Sequence, residues 1–244
     1  MKQFKIFSKL SKKLKNYITV LSNLKFTILH SVYSETGEDV IVSQLFGNSV
    51  GKFVDIGSGQ PVIGNNTFLL YKMGWTGTCV DPQTHISIAY KFLRPRDRLI
   101  NKPVSNLKKV KFFDFTNPLL STTDFKVANF HIKNGLKYTE KILDSTSMRD
   151  LLEPRISSDE NFLLSIDVEG SELEIIKEID FKKQRPRVIL VESWKAPWTD
   201  DLLTKYMEAV NYKLFAYTGL TSIYLPLEAN FKVEKFRRNL ANII

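Results

Sequence analysis

Over residues 1–32 the apolar positions Phe7, Leu10, Leu14, Tyr17, Leu21, Leu24 and Ile28 recur at alternating steps of three and four. That spacing predicts one amphipathic helix, with Lys9, Lys12, Lys13 and Lys15 elsewhere on its surface. From Tyr33 onward the pattern changes to short apolar runs separated by helical periods. "GEDVIVSQLF" reads as a helix, "KFVDIG" as a buried strand, and "NNTFLLYKMG" as a helix closed by Gly74. "WTGTCVDP" is a second strand ending at Asp81, "HISIAYKFLRPRD" a helix stopped near Pro95, and "RLINKPVS" a third strand. "VKFFDF" and "KVANFHI" read as an inserted β excursion, and "STSMRDLLEP" as a capped short helix ending before Pro154. "NFLLSIDVEG" and "RVILVES" give strands four and five, with "SELEIIKEI" between them and "TDDLLTKYMEAV" after. "YKLFAYTG" and "LTSIYLPL" close the chain as an antiparallel pair.

Strands alternating with helices predict an α/β fold: a Rossmann-like, doubly wound, mostly parallel sheet with an antiparallel closing strand. The expected organisation is a basic helical segment, 1–32, attached to a single domain, 33–244. In such sheets ligands bind beyond the carboxyl ends of the strands, so the residues just after each strand carry the functional question.

Charge and composition narrow the classes. The 244 residues carry a net +9, which by itself points toward nucleic acid or an anionic surface. Yet Lys2, Lys5, Lys9, Lys12, Lys13, Lys15 and Lys25 all precede the first acid, Glu35, and the remainder is nearly balanced. No chain-wide nucleic-acid footprint is present. The basic helix has three readings: a cap on its own domain, a helix lying on an anionic membrane, or a seam that pairs with a second copy. No apolar run in it is long enough to span a bilayer. One cysteine, Cys79, and three histidines, His30, His85 and His131, exclude an internal disulfide and disfavour cysteine- or histidine-based zinc sites. A reducing compartment fits, which places the expected protein in the cytoplasm, at the inner face of the membrane if the helix docks there.

The first strand ends in Asp55-Ile56-Gly57-Ser58-Gly59. Its glycines permit a tight turn and a close ligand, but no Gly-Lys-Ser/Thr follows, so it is not a P-loop. An acid before the glycines also argues against a pyrophosphate and for a cationic ligand. Asp81, at the end of the next strand, is placed to accept from both ribose hydroxyls. Together they describe a half-site for a positively charged nucleoside, of which S-adenosylmethionine is one. In the same loop Asn65, Asn66 and Thr67 either cap the next helix or touch the cofactor's carboxylate.

The segments "YSETGEDVIVSQLF", "FVDIGSGQPVIGNNTFLLYKMGWTGTCVDP", "RPRDRLINKPVS" and "LLSIDVEGSELEIIKEIDFKKQRPRVILVES" together resemble the FkbM family of S-adenosylmethionine-dependent methyltransferases. The likeness is to its bacterial branch, found among genes for surface polysaccharides, and runs from Tyr33 to Leu227. It implies a class I methyltransferase fold and a hydroxyl acceptor on a sugar of a surface glycan or its precursor. Another small hydroxylated metabolite is the alternative acceptor, and a non-catalytic cofactor-binding membrane or assembly module the alternative class. By the resemblance Asp55, Gly57, Ser58 and Gly59 line the methionine end of the cofactor and Asp81 the ribose. Asp97, Asn101, Val104 and Ser105 lie toward the adenine. The first turn reads Gly-Ser-Gly-Gln-Pro where the wider family commonly has Gly-Ala-Asn.

Methyl transfer to a hydroxyl needs in-line alignment and a base for the proton. The candidates are Asp167 and Glu169, after the fourth strand, and His131 in the inserted region. A second mechanism places a divalent cation, Mg²⁺ or Mn²⁺, on Asp167 and Glu192 at adjacent strand ends. Glu172 reads as a helix N-terminal acid. Trp194 and Trp198 are aromatics that stack on a sugar or seal the core edge.

Overall fold

The computed structural model describes residues 2–152, 156, 160–193, 196–198 and 201–231, with side chains from residue 14 onward. Trp194, Pro154, the side chains of Phe7, Leu10, Lys9, Lys12 and Lys13, and the end of the expected domain lie outside the described residues. The strands are β1 (Lys52–Ile56), β2 (Thr76–Val80), β3 (Arg98–Ile100), β4 (Lys109–Phe115), β5 (Tyr138–Asp144), β6 (Phe162–Ile166), β7 (Val188–Glu192), β8 (Tyr212–Tyr217) and β9 (Thr221–Pro226). The helices are α1 (Lys2–Leu29), α2 (Glu38–Phe46), α3 (Phe68–Lys72), α4 (Ser87–Leu93), α5 (Phe125–Lys133), α6 (Met148–Leu151), α7 (Glu172–Lys177) and α8 (Leu202–Ala209).

Seven strands form one sheet in the order β3-β2-β1-β6-β7-β9-β8. The first five are parallel, and β9 runs antiparallel to both β7 and β8. This is the expected mostly parallel sheet with an antiparallel closing strand. Strand β6 is buried along its whole length and β1 in all but its first residue, Lys52, because helices cover both faces, so their sequences read as continuous apolar runs. The chain winds outward from β1 to β3 and then returns to β6, so β1 and β6 flank the switch point where such sheets open a crevice.

Three local expectations change. "KVANFHI" is not a strand but the middle of α5. Its β-branched and aromatic content favoured a strand, but Asp124 caps the helix, its Oδ1 accepting from Lys126 N at 2.7 Å and Val127 N at 2.9 Å. Gly135, at φ +80°, ends the helix. The strand that pairs antiparallel with β4 is instead β5, which is almost wholly exposed and so carries no clean alternation. "RLINKPVS" is a strand only over β3; its end forms a single parallel bridge, Val104 with Thr146. The β4–α5–β5 insertion builds a small core of its own from Phe113, Phe115 and Ala128.

Helix α1 rests on α4 and on the turn Thr84–Ile86. It does so through a polar face. Asn23 is fully buried, donating through Nδ2 to Gln60 Oε1 at 2.7 Å and accepting at Oδ1 from Val62 N and Ile63 N.

Candidate active site

A cavity of about 310 Å³ opens beyond the carboxyl ends of β1, β2, β6 and β7, at the switch point. Phe112 and the segment Asn117–Thr123 of the insertion form one wall. That wall is tied down at two places: Gln83 Nε2 donates to Pro118 O at 2.9 Å, and Thr122 Oγ1 donates to Glu169 O at 2.8 Å.

At one end lies the glycine turn. Gly57 N donates to Val80 O at 2.8 Å, and Asp167 N donates to Ile56 O at 2.9 Å. A Cβ at Gly57 would stand 1.5 Å from Asp167 O, so β1 and β6 approach too closely for any other residue there. Gly59, at φ +54°, turns its N–H to Asp81 Oδ2 at 3.0 Å, and Gln83 N donates to Asp81 Oδ1 at 2.8 Å. Asp81 is thus held by two backbone donors at the edge of the cavity. Burial raises its carboxyl to about 6 against those hydrogen bonds.

At the other end Asp167, Glu169 and Glu192 converge, each presenting a carboxylate oxygen within 4.8 Å of the others. Strand β6 stops at Ile166, so strand alternation does not separate Asp167 from Glu169. Glu169 adopts φ +62°, a left-handed conformation rare outside glycine, and this brings its side chain round to the cavity. Burial, then the charge of Asp167, pushes Glu169 up to about 8, and its Oε2 is buried with no hydrogen-bond partner. Burial first, and then the charge and hydrogen bond of Glu192, raise Asp167 well above the usual carboxylate range. Glu172 does something else: its carboxylate folds back to accept from Val168 N and Gly170 N, bracing the loop that carries Glu169.

Of the residues singled out in the sequence, Gly57, Gly59, Asp81, Val104, Asp167, Glu169 and Glu192 line this cavity. Asp55, Ser58, Asn66, Thr67, Asp97 and Asn101 stand behind it. Asp55 Oδ2 accepts from Thr67 Oγ1 at 2.7 Å, and Thr67 Oγ1 accepts in turn from Arg94 Nη2 at 2.9 Å. Arg94, 1% exposed, also reaches Asn65 Oδ1 at 2.8 Å and Asp97 Oδ2 at 2.6 Å. Asn65 Nδ2 holds the carbonyls of Ser58 and Gln60, and Asn66 Nδ2 meets Ser165 Oγ at 3.3 Å. Asn101 Nδ2 binds the carbonyls of Asp81 and Gln83. These residues set the shape of the glycine turn from beneath. Ser105 lines a separate groove between β4 and α7.

His131 lies in α5, its ring edge-on to Phe115, and does not line the cavity. Trp198 is exposed and packs edge-on against Tyr217. Sequence reasoning missed Glu35, which lines the cavity beside Gly64 and sits within "YSETGEDV", and the buried network of Arg94 behind the glycine turn. Among the described residues, five acidic side chains line the cavity (Glu35, Asp81, Asp167, Glu169, Glu192), against one lysine, Lys102. Asp55 does not line the cavity, and this acidic lining is what disfavours a phosphate there.

A switch-point crevice with a glycine turn and an acid at the next strand end suits a nucleoside, and its acidic lining suits a cationic one. The profile of the Methyltransferase FkbM domain matches residues 55–214. The chain belongs to this family of methyltransferases, and membership implies use of S-adenosylmethionine. No curated protein matches the chain. Among solved structures it is similar to the METTL16 MTase domain in crystal form 2, at 13% identity over 89% of this chain and 81% of that one, with a TM-score of 0.45. The delta-N METTL16 MTase domain matches at 13% identity over 88% of this chain and 97% of that one, also at 0.45.

Proposed function

We propose that the protein transfers the methyl group of S-adenosylmethionine to a hydroxyl of a sugar, in a surface glycan or its precursor, with Glu169 as the base. The observation that carries this is Glu169 itself: a carboxylate in a strained backbone conformation, one oxygen buried and unpartnered, aimed into the cavity. Strain of this kind persists where the surroundings hold it, and clusters at functional sites. A carboxyl raised to about 8 is well matched to accept a proton near neutral pH. Held with Asp81 and the Gly57–Gly59 turn at its nucleoside, S-adenosylmethionine would supply an electrophilic methyl to the acceptor hydroxyl and leave as a neutral thioether. The hydroxyl proton passes to Glu169. The cationic sulfonium is the group that an acidic lining favours.

The sugar acceptor is supported by the family resemblance and by a polar rim that includes Glu35, Gln60 and Gln83. The buried Cys79 and the cofactor are consistent with a reaction in the cytoplasm. A second use of the acidic cluster is favoured by its convergence: Asp167, Glu169 and Glu192 form a hard oxygen donor set suited to Mg²⁺ or Mn²⁺. Such an ion would lower the pKa of the acceptor hydroxyl. Incubation with S-adenosylmethionine carrying a deuterated methyl, over a panel of oligosaccharides and small hydroxylated metabolites, tests the proposal by mass spectrometry. The reading requires label on a sugar oxygen. Label only on the metabolites, or cofactor binding with no transfer, would replace it. Activity that survives a chelator and Glu192→Ala removes the ion.

A further inference from the structure

Helix α1 docks through the face carrying Asn16, Thr19, Val20, Asn23, Phe26 and Thr27, each less exposed than the rest of its described side chains. The predicted apolar stripe is on the opposite side. Leu14, Tyr17, Leu21 and Ile28 are 61%, 68%, 62% and 75% exposed, and Ile18, Leu24 and Leu29 join them. A helical step of 100° per residue puts Asn23 about 160° from Leu21, so the same helix cannot bury both against its own domain. The stripe is therefore left without a partner among the described residues.

We infer that this stripe is a docking surface for an anionic lipid bilayer. Charge decides between a bilayer and a second copy. Seven lysines and no acid precede Glu35, so two such helices side by side would set seven lysines against seven with no compensating carboxylate. An anionic headgroup layer reverses the sign of that interaction, and an apolar stripe on a lysine-rich helix is the form that interfacial helices take. Among the described residues no helix is long and apolar enough to cross a membrane, so α1 lies on the surface. Its inner face is fastened to the cavity: Asn23 holds Gln60 and the N–H groups of Val62 and Ile63, and Gln60 and Ile63 line the cavity. The bilayer and the cavity wall therefore share one helix.

The test is sedimentation of the full chain with phosphatidylcholine vesicles, with and without a quarter of phosphatidylglycerol. Binding to the anionic vesicles is expected, with at least about a tenfold loss of affinity between 0.1 and 0.5 M salt as screening removes the lysine term. A Leu21→Glu, Ile28→Glu variant changes only exposed positions and should lose at least tenfold while binding S-adenosylmethionine like the wild type. Equal binding to neutral vesicles, no binding to either, or a wild-type dimer that the variant abolishes would each overturn the inference. Cofactor binding, measured by calorimetry on the same samples, fails or succeeds independently.

Discussion

The two ends of the cavity are built from acids in opposite ways. At the glycine end Asp81 has a backbone donor on each oxygen, and behind it Asp55 is joined through Thr67 to a fully buried arginine. Both of these acids are held by neighbours of complementary character. At the β6–β7 end Asp167, Glu169 and Glu192 crowd one another, and Glu169 sits on a strained backbone. A carboxylate fixed by donors makes a rigid acceptor and suits binding. Carboxylates that raise one another's proton affinity suit a step in which a proton moves.

The largest effects come from the backbone that joins the two ends. Gly57→Ala would drive a methyl into the Asp167 carbonyl and should abolish folded protein, as read by circular dichroism. At Gly59 a Cβ meets nothing, so Gly59→Ala should cost only about 1–2 kcal/mol for its left-handed φ and leave a folded chain. Next, Glu169→Gln should lower turnover by about 10²–10⁴-fold with cofactor affinity nearly unchanged, measured by methyl transfer beside calorimetry. Asp81→Ala should weaken cofactor binding by about 10- to 100-fold, the value of a charged hydrogen-bonding partner. Thr67→Val, behind the cavity, should cost about 1–3 kcal/mol of stability, seen as a lower Tm, and weaken cofactor binding less than Asp81→Ala does.

The smallest effect is on pH dependence. A base is active when deprotonated, so the rate should rise with pH and level off above about 8. Stability runs the other way. Glu169 has a folded pKa above its ordinary 4.5, so between those values the folded state holds a proton that the unfolded state has lost. Its contribution is present at acidic pH and is lost as pH rises toward 8. Glu169→Gln should flatten that fall in Tm. A bound divalent cation would move the rate limb to lower pH, and a chelator would move it back.

Much of this was legible in the sequence. Short buried strands, strand-end acids and glycine punctuation gave the sheet, the switch point and the residues at both ends of the cavity. In the insertion Val127, Phe130 and Ile132 carry strand-like content, but the cap at Asp124 and the stop at Gly135 make the segment a helix. Asp55 was placed on the ligand because a sequence orders residues along a strand but does not say which face the helices cover. Glu35 and Arg94 were missed because both are brought in by tertiary packing, from outside the strand ends. In α1 the stripe was read correctly, but its orientation follows from Asn23, a single polar residue that no periodicity marks.

The division of labour between the two ends is tested most directly by calorimetric titration of S-adenosylmethionine into three proteins: wild type, Asp81→Ala and Glu169→Gln. The account predicts binding by the wild type, binding at least about tenfold weaker in Asp81→Ala, and affinity within about threefold of wild type in Glu169→Gln. No binding by the wild type, or equal losses in the two variants, would contradict it.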